Sequence, residues 1–167
     1  YPAVVLAGTR LAELYATGEY SPPDLEQGVQ TCARMLQICL RNAIPVIRIG
    51  LQAEASLQQK DTILAGCWHP ALGQLVRSQL YFDLICSLIS DAAPGISISL
   101  VCHPHNISEV VGNRKQNLQR LSQRGVKVVN ITADASLTPG SVEVRHLNQN
   151  LKGNILTSLN YEGENNA

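Results

Sequence analysis

The chain has 167 residues, with 13 basic and 13 acidic side chains, 45% hydrophobic residues and 4% aromatics. That apolar content excludes disorder along the whole chain, and the length suffices for one domain or two small ones. No run approaches the ~20 apolar residues of a membrane-spanning helix, and no basic, apolar, small-residue leader pattern opens the chain.

The chain begins without an initiator Met, inside the apolar run Tyr1-Pro-Ala-Val-Val-Leu-Ala. Domain termini are usually polar, so the expectation is a fragment whose N-terminal part is missing. Residues 1–8 predict a short buried strand. Leu11, Leu14 and Tyr15 then share one side of a short helix ending near Gly18. Ser21-Pro22-Pro23-Asp24 predicts a helix start with Ser21 as N-cap. The helix it opens buries Leu25, Val29, Cys32, Leu36, Cys39 and Leu40, and stops near Asn42 because Pro45 disfavours helix before it. Residues 44–51 predict a second strand, so 1–51 reads as a strand–helix–strand unit with a parallel pair.

Residues 52–66 are polar and predict a loop. His69-Pro70 opens a second long helix with Leu72, Leu75, Val76, Leu80, Leu84 and Leu88 inward, broken at Asp91–Gly95. Residues 96–102 alternate, which predicts a half-buried strand with Ile96, Ile98, Leu100 and Cys102 inward. A helical turn at Ile107–Val111, an interruption at Gly112 and a helix over 113–124 follow. Two strands, 126–132 and 142–147, flank the turn Thr138-Pro139-Gly140. From Asn148 the Asn- and Gly-rich chain predicts loose order.

The five cysteines, at 32, 39, 67, 86 and 102, lack any Cys-x-x-Cys spacing. Their odd number and apolar neighbours predict reduced core thiols in a cytoplasmic protein. The zero net charge hides an asymmetry: residues 1–109 carry 6 basic and 9 acidic groups, residues 110–167 carry 7 and 4.

Several segments form an ordered set: Tyr1-Pro2, Val4-Val5-Leu6-Ala7-Gly8-Thr9, Glu13-Leu14-Tyr15 and Thr17-Gly18-Glu19-Tyr20 come first. Pro45-Val46-Ile47-Arg48-Ile49-Gly50-Leu51-Gln52, Ala65-Gly66 and His69-Pro70-Ala71-Leu72-Gly73-Gln74-Leu75-Val76 follow. Over residues 1–125 this set resembles the late radical-SAM core of the catalytic subunit of Elongator. It is closer to the standalone bacterial relatives, often labelled oxygen-independent coproporphyrinogen III oxidase-like. The resemblance implies an α/β fold: the last βα units of a partial radical-SAM barrel in residues 1–66, an α+β extension in 67–147 and a tail in 148–167.

The resemblance also implies a 4Fe–4S cluster that cleaves S-adenosylmethionine in the intact parent, which needs three thiolates on one loop. This sequence lacks that motif, so the fragment alone is expected to hold no cofactor and no metal and to be inactive. The strand ends that remain would form the far wall of the barrel, where ligands sit. Gly8 and Gly50, with Leu51, permit close backbone approach to a nucleotide or simply turn the chain. Gln52 offers an amide to a ribose or adenine edge. Arg48, in an apolar strand, meets either a cofactor carboxylate or an acid of this chain. His69 lines the active-site mouth or caps the helix after Pro70.

Residues 99–147 follow another logic: strand, short helix, glycine break, helix, strand, strand. This resembles the KH module, in which a Gly-x-x-Gly loop between two helices clamps a nucleic-acid backbone. The loop here reads Gly112-Asn113-Arg114-Lys115, with a cation in place of the second glycine. Arg114, Lys115, Arg120, Arg124 and Lys127 lie between Glu109 and Asp134 with no acid among them. They predict either a phosphate-binding surface, with Arg120 and the loop as contacts, or a solvated helix face. Since Elongator acts on transfer RNA, the resemblance implies transfer RNA as a partner. Cys102, His103 and His105 lack a further ligand at zinc spacing, so the two histidines read as loop residues, and His146 carries no distinct signal.

Three functions follow: the C-terminal part of a radical-SAM enzyme acting on transfer RNA, an RNA-binding or scaffold module without chemistry, or a porphyrinogen-oxidising enzyme of the same superfamily. No membrane is implied. A parallel pair parted from its barrel would leave an unpaired edge, which predicts self-association.

Overall fold

A computed structural model describes residues 1–52, 54, 55, 57, 59–90 and 95–161. Strand β1 (Val4–Leu6) leads into helix α1 (Arg10–Ala16), whose N-cap Thr9 accepts from the Ala12 amide at 3.2 Å. Helix α2 (Leu25–Arg41) starts later than the Ser21 cap predicted. Its N-cap is Asp24: the carboxylate accepts from the Gln27 amide at 2.8 Å, and the Asp24 amide donates to Gln27 Oε1 at 3.1 Å. The helix ends at Asn42, as expected, where the Asn42 side-chain amide donates to the Ile38 carbonyl at 2.8 Å.

The predicted strand over 44–51 does not form. Residues 44–49 have no regular structure, and Ile47 is 98% exposed. The partner of β1 is instead β2 (Ile63–Gly66), inside the segment read as a loop. The pair is antiparallel, with Val4 opposite Gly66 and Leu6 opposite Ile63. The parallel strand–helix–strand unit is therefore corrected. Gly66, at φ 106, lets the chains meet: a Cβ there would lie 2.5 Å from the Ala3 carbonyl oxygen.

Helix α3 (Leu72–Leu88) buries Leu80, Tyr81, Phe82, Leu84 and Ile85 in succession. A helix apolar all round must be covered on both sides. Here α2 packs on it from one side and the second sheet from the other. That sheet contains β3 (Ser97–Cys102), β4 (Lys127–Ala133), β5 (Ser141–His146) and β6 (Gln149–Asn154), in the order β4-β3-β5-β6. The pair β3–β4 is parallel, bridged by helices α4 (Ile107–Val111) and α5 (Gln116–Gln123); β5 and β6 are antiparallel additions. Ile96, Ile98, Leu100 and Cys102 are all buried, as the alternation predicted.

The expected loose tail is also corrected. Strand β6 pairs with β5 along its length, and Ile155 and Leu159 enter the core. Residues 162–167 lie outside the described residues, as do 91–94 within the predicted break. One apolar cluster joins Val29, Ala33 and Leu36 to α3, to the second sheet and to Leu159, crossing the boundaries expected at 66 and 147. Among the described residues no helix is long and apolar enough to cross a membrane.

Candidate nucleic-acid interface

The break between α4 and α5 is a tight loop with three residues in left-handed backbone. Gly112 has φ 80, Arg114 φ 49 and Lys115 φ 62. For the two side-chain-bearing residues this conformation costs about 1–2 kcal/mol each, so neighbouring structure must impose it. Asn117 does much of that. Its buried side-chain amide lies 3.0 Å from the Ser78 carbonyl, 3.0 Å from the Ser78 hydroxyl, 3.2 Å from the Glu109 carbonyl and 3.1 Å from the Val110 carbonyl. Two hydrogens shared among four acceptors tie the start of α5 to α3 and α4. Gly112 permits this approach, since a Cβ there would lie 2.9 Å from the Asn117 amide nitrogen.

A second tie is ionic: Arg77 of α3 meets Glu109 of α4 at 2.7 Å, and the Asn106 side-chain amide donates to the same carboxylate at 2.9 Å. The tip is left to solvent. Arg114 and Lys115 are exposed and Asn113 half-buried, so two adjacent cations project from a pinned turn. Arg120 does not join them in that exposure. Half-buried, it lies 3.6 Å over the Phe82 ring and donates to Gln79 Oε1 at 2.8 Å. Burial pulls its guanidinium below the usual value, against the opposing pull of Asp83 and Glu26.

The residues expected to form a cofactor wall are spread out. Gly8, at φ 74, follows β1 in the open, and a Cβ there would meet nothing within 4 Å. Arg48, Leu51 and Gln52 are exposed on the irregular segment after α2. Arg48 is thus not a buried charge in an apolar strand. Gly50 alone is buried, and its close approach is to this chain: a Cβ would lie 2.5 Å from Leu72 Cδ2. Of the two readings of His69, the capping one has a direct bond, because its Nδ1 accepts from the Ala71 amide at 3.0 Å at the entrance to α3. His103 acts likewise, accepting from the His105 amide at 3.2 Å. His146 Nδ1 lies 2.9 Å from the Ser97 carbonyl, tying β5 to the start of β3.

The cysteines do not fit an iron–sulfur cluster. Cys32 and Cys39 are on α2, Cys67 follows β2, Cys86 is on α3 and Cys102 ends β3. All five are free, and no group of three potential ligands converges on a metal-sized site among the described residues. A cluster ligand must be a thiolate, whereas burial pushes Cys32, Cys86 and Cys102 upward and Cys67 to about 11.

Sequence reasoning missed a third feature, a cavity of about 570 Å³ where α2, α3, α5 and the C-terminal segment meet. Arg120 of α5, Arg124 at its C-cap and Arg34 of α2 line it. The spacing of Arg120 and Arg124 placed both on one helix face, but nothing local tied Arg34 to them.

Residues 1–82 match the family model of the Radical_SAM C-terminal domain. No curated protein and no solved structure matches the chain. The family match, together with the mixed α/β fold, supports a radical-SAM protein, a family that implies S-adenosylmethionine and a 4Fe–4S cluster in the intact protein.

Proposed function

We propose that the chain is the C-terminal part of a radical-SAM enzyme of the Elongator-related kind, and that it holds an RNA substrate, transfer RNA, through the KH-like unit at residues 99–147. One observation carries the reading. Gly112, Arg114 and Lys115 all occupy left-handed backbone in a turn anchored by buried Asn117, and the two cations point outward. A strained turn held through four hydrogen-bond acceptors and tipped with exposed charge suits phosphate oxygens, which need preorganised cations and no base-specific group. Stacking readout plays no part at the loop itself, which holds no aromatic residue.

The division of labour follows. Residues 112–115 grip the backbone, while the radical chemistry belongs to cluster-bearing sequence other than these residues. Transfer RNA affinity, measured by fluorescence anisotropy at two salt concentrations, tests the grip. With Arg114→Ala and Lys115→Ala together, affinity falls and the slope of log affinity against log salt shallows by about 1–2, because two cations no longer neutralise phosphates. An unchanged affinity and slope would reject the loop as the binding element.

A further inference from the structure

Three guanidiniums line the cavity between α2, α3 and α5, and among the described residues the pair from α5 and its C-cap, Arg120 and Arg124, hydrogen-bonds only to neutral groups. Arg120 and Arg124 stand one turn apart, a spacing at which like charges repel. Both lie over one ring, Phe82, with guanidinium carbons 3.6 and 5.1 Å from its centroid. Their hydrogen-bond partners are neutral: Gln79 Oε1 for Arg120, and the Cys86 sulfur at 3.3 Å for Arg124. Among the described residues neither meets a carboxylate at hydrogen-bond distance.

Among the described residues the acid lining the cavity is Asp83, whose oxygens accept from the Tyr161 hydroxyl at 2.6 Å and the Gln79 side-chain amide at 2.7 Å. Across from α5, Arg34 lies 5.6 Å from the Tyr161 ring centroid. Among the described residues, the guanidiniums of Arg120 and Arg124 face this space together with Arg34 and Asp83, the latter two already engaged in contacts of their own. Two of the cations are pre-set by stacking on a buried ring, so little side-chain freedom remains to be lost when an anion arrives.

We infer that this cavity binds a phosphate monoester of mononucleotide size, its phosphate taken by Arg120 and Arg124. A tetrahedral, doubly charged anion matches two adjacent guanidinium forks better than a single carboxylate does. The volume of about 570 Å³ far exceeds a bare phosphate and accommodates the group attached to it. Gln30 and Asn160 bring amides to the lining and Ser87 a hydroxyl, a polar wall suited to a sugar or base edge. This site is separate from the Gly112–Lys115 loop, and its ligand is a small molecule rather than a nucleic-acid chain.

Calorimetric titration of the 167-residue chain with inorganic phosphate and with adenosine 5′-monophosphate tests the inference. Both bind, the nucleotide more tightly than phosphate. Arg124→Gln and Arg120→Met each weaken nucleotide binding about tenfold or more, as expected for one charge-assisted hydrogen bond. Arg124 is exposed, so its variant keeps the fold, which an unchanged thermal midpoint verifies. The Arg114→Ala, Lys115→Ala pair leaves nucleotide binding intact. Absence of binding by either probe at about 10 mM, on the order of the weakest useful affinity, would overturn the inference. So would nucleotide affinity that both arginine variants leave unchanged, or that the loop pair weakens equally.

Discussion

The side-chain amide of Gln37, only 1% exposed, donates to the Leu159 carbonyl at 2.8 Å across 122 residues of chain. It joins α2 to the C-terminal segment behind α3, where Leu159 is itself buried. Replacing Gln37 by Ala leaves a buried carbonyl without its donor and opens a small void. The expected loss is about 1–3 kcal/mol, read from urea unfolding. Faster proteolytic cleavage within 155–161 should accompany it, since that segment loses its anchor. Unchanged stability and cleavage would mean that the bond contributes nothing.

Gly28 sits mid-helix in α2, where Ala is intrinsically favoured by about 1 kcal/mol. Packing reverses that preference. A Cβ at Gly28 would stand 2.2 Å from the Cys67 sulfur and 2.4 Å from Cys67 Cβ, a clash that no rotamer change at Cys67 removes. Gly28→Ala should therefore lower stability by about 1–3 kcal/mol, by overpacking, in thermal or urea melts. A more stable variant would show that α2 does not press against the end of β2 in this way. The paired variant Gly8→Ala meets open space and carries only the cost of its left-handed φ, about 1 kcal/mol.

Cys67 gives the fold a pH dependence on the alkaline side. Burial foremost, then the nearby Cys32 and Asp24, hold its thiol at about 11 against an ordinary 9.0. Between these values the unfolded chain releases a proton that the folded chain keeps, so stability falls as pH rises from 9 towards 11. Cys32, Cys86 and Cys102 shift in the same direction. The difference in urea midpoint between the native chain and Cys67→Ala isolates this group. It should shrink between about pH 8 and about pH 10.5, the interval over which much of the shift is spent. A difference independent of pH would show that the thiol titrates normally.

What the sequence disclosed depended on whether local chemistry or distant pairing decided the outcome. Helix α2 was legible because Asp24 and Gln27 cap it locally and its apolar spacing is helical. The Asp24 cap displaced the Ser21 reading because two prolines lie between Ser21 and the first helical turn. The apolar run after Ala43 has strand composition, yet Pro45 removes a donor and no neighbouring segment among the described residues supplies a ladder there. The edge next to β1 goes to residues 63–66, a segment too short to display a period.

Strand β6 failed the sequence reading for the opposite reason. It is an exposed edge held by its backbone bonds to β5, so it needs no apolar alternation. Only Gly153 is pressed against the core, where a Cβ would lie 2.8 Å from Leu84 Cδ1. At the candidate interface, Gly112 announced the loop, since a glycine between two helical patterns marks a break. The left-handed turn at Arg114 and Lys115 was not legible, because it is imposed by Asn117 reaching back to Ser78. The arginine cavity depends on three helices meeting, which no local pattern encodes.

The turn at residues 112–115 is proposed to meet the phosphate backbone of RNA. Amide hydrogen exchange with and without transfer RNA tests it most directly, because it reports where the polyanion settles. Protection should rise at residues 112–119, the loop and the first turn of α5, and remain unchanged along β1 and β2. Protection absent from that segment, or confined to the β1–β2 end of the molecule, would contradict the account.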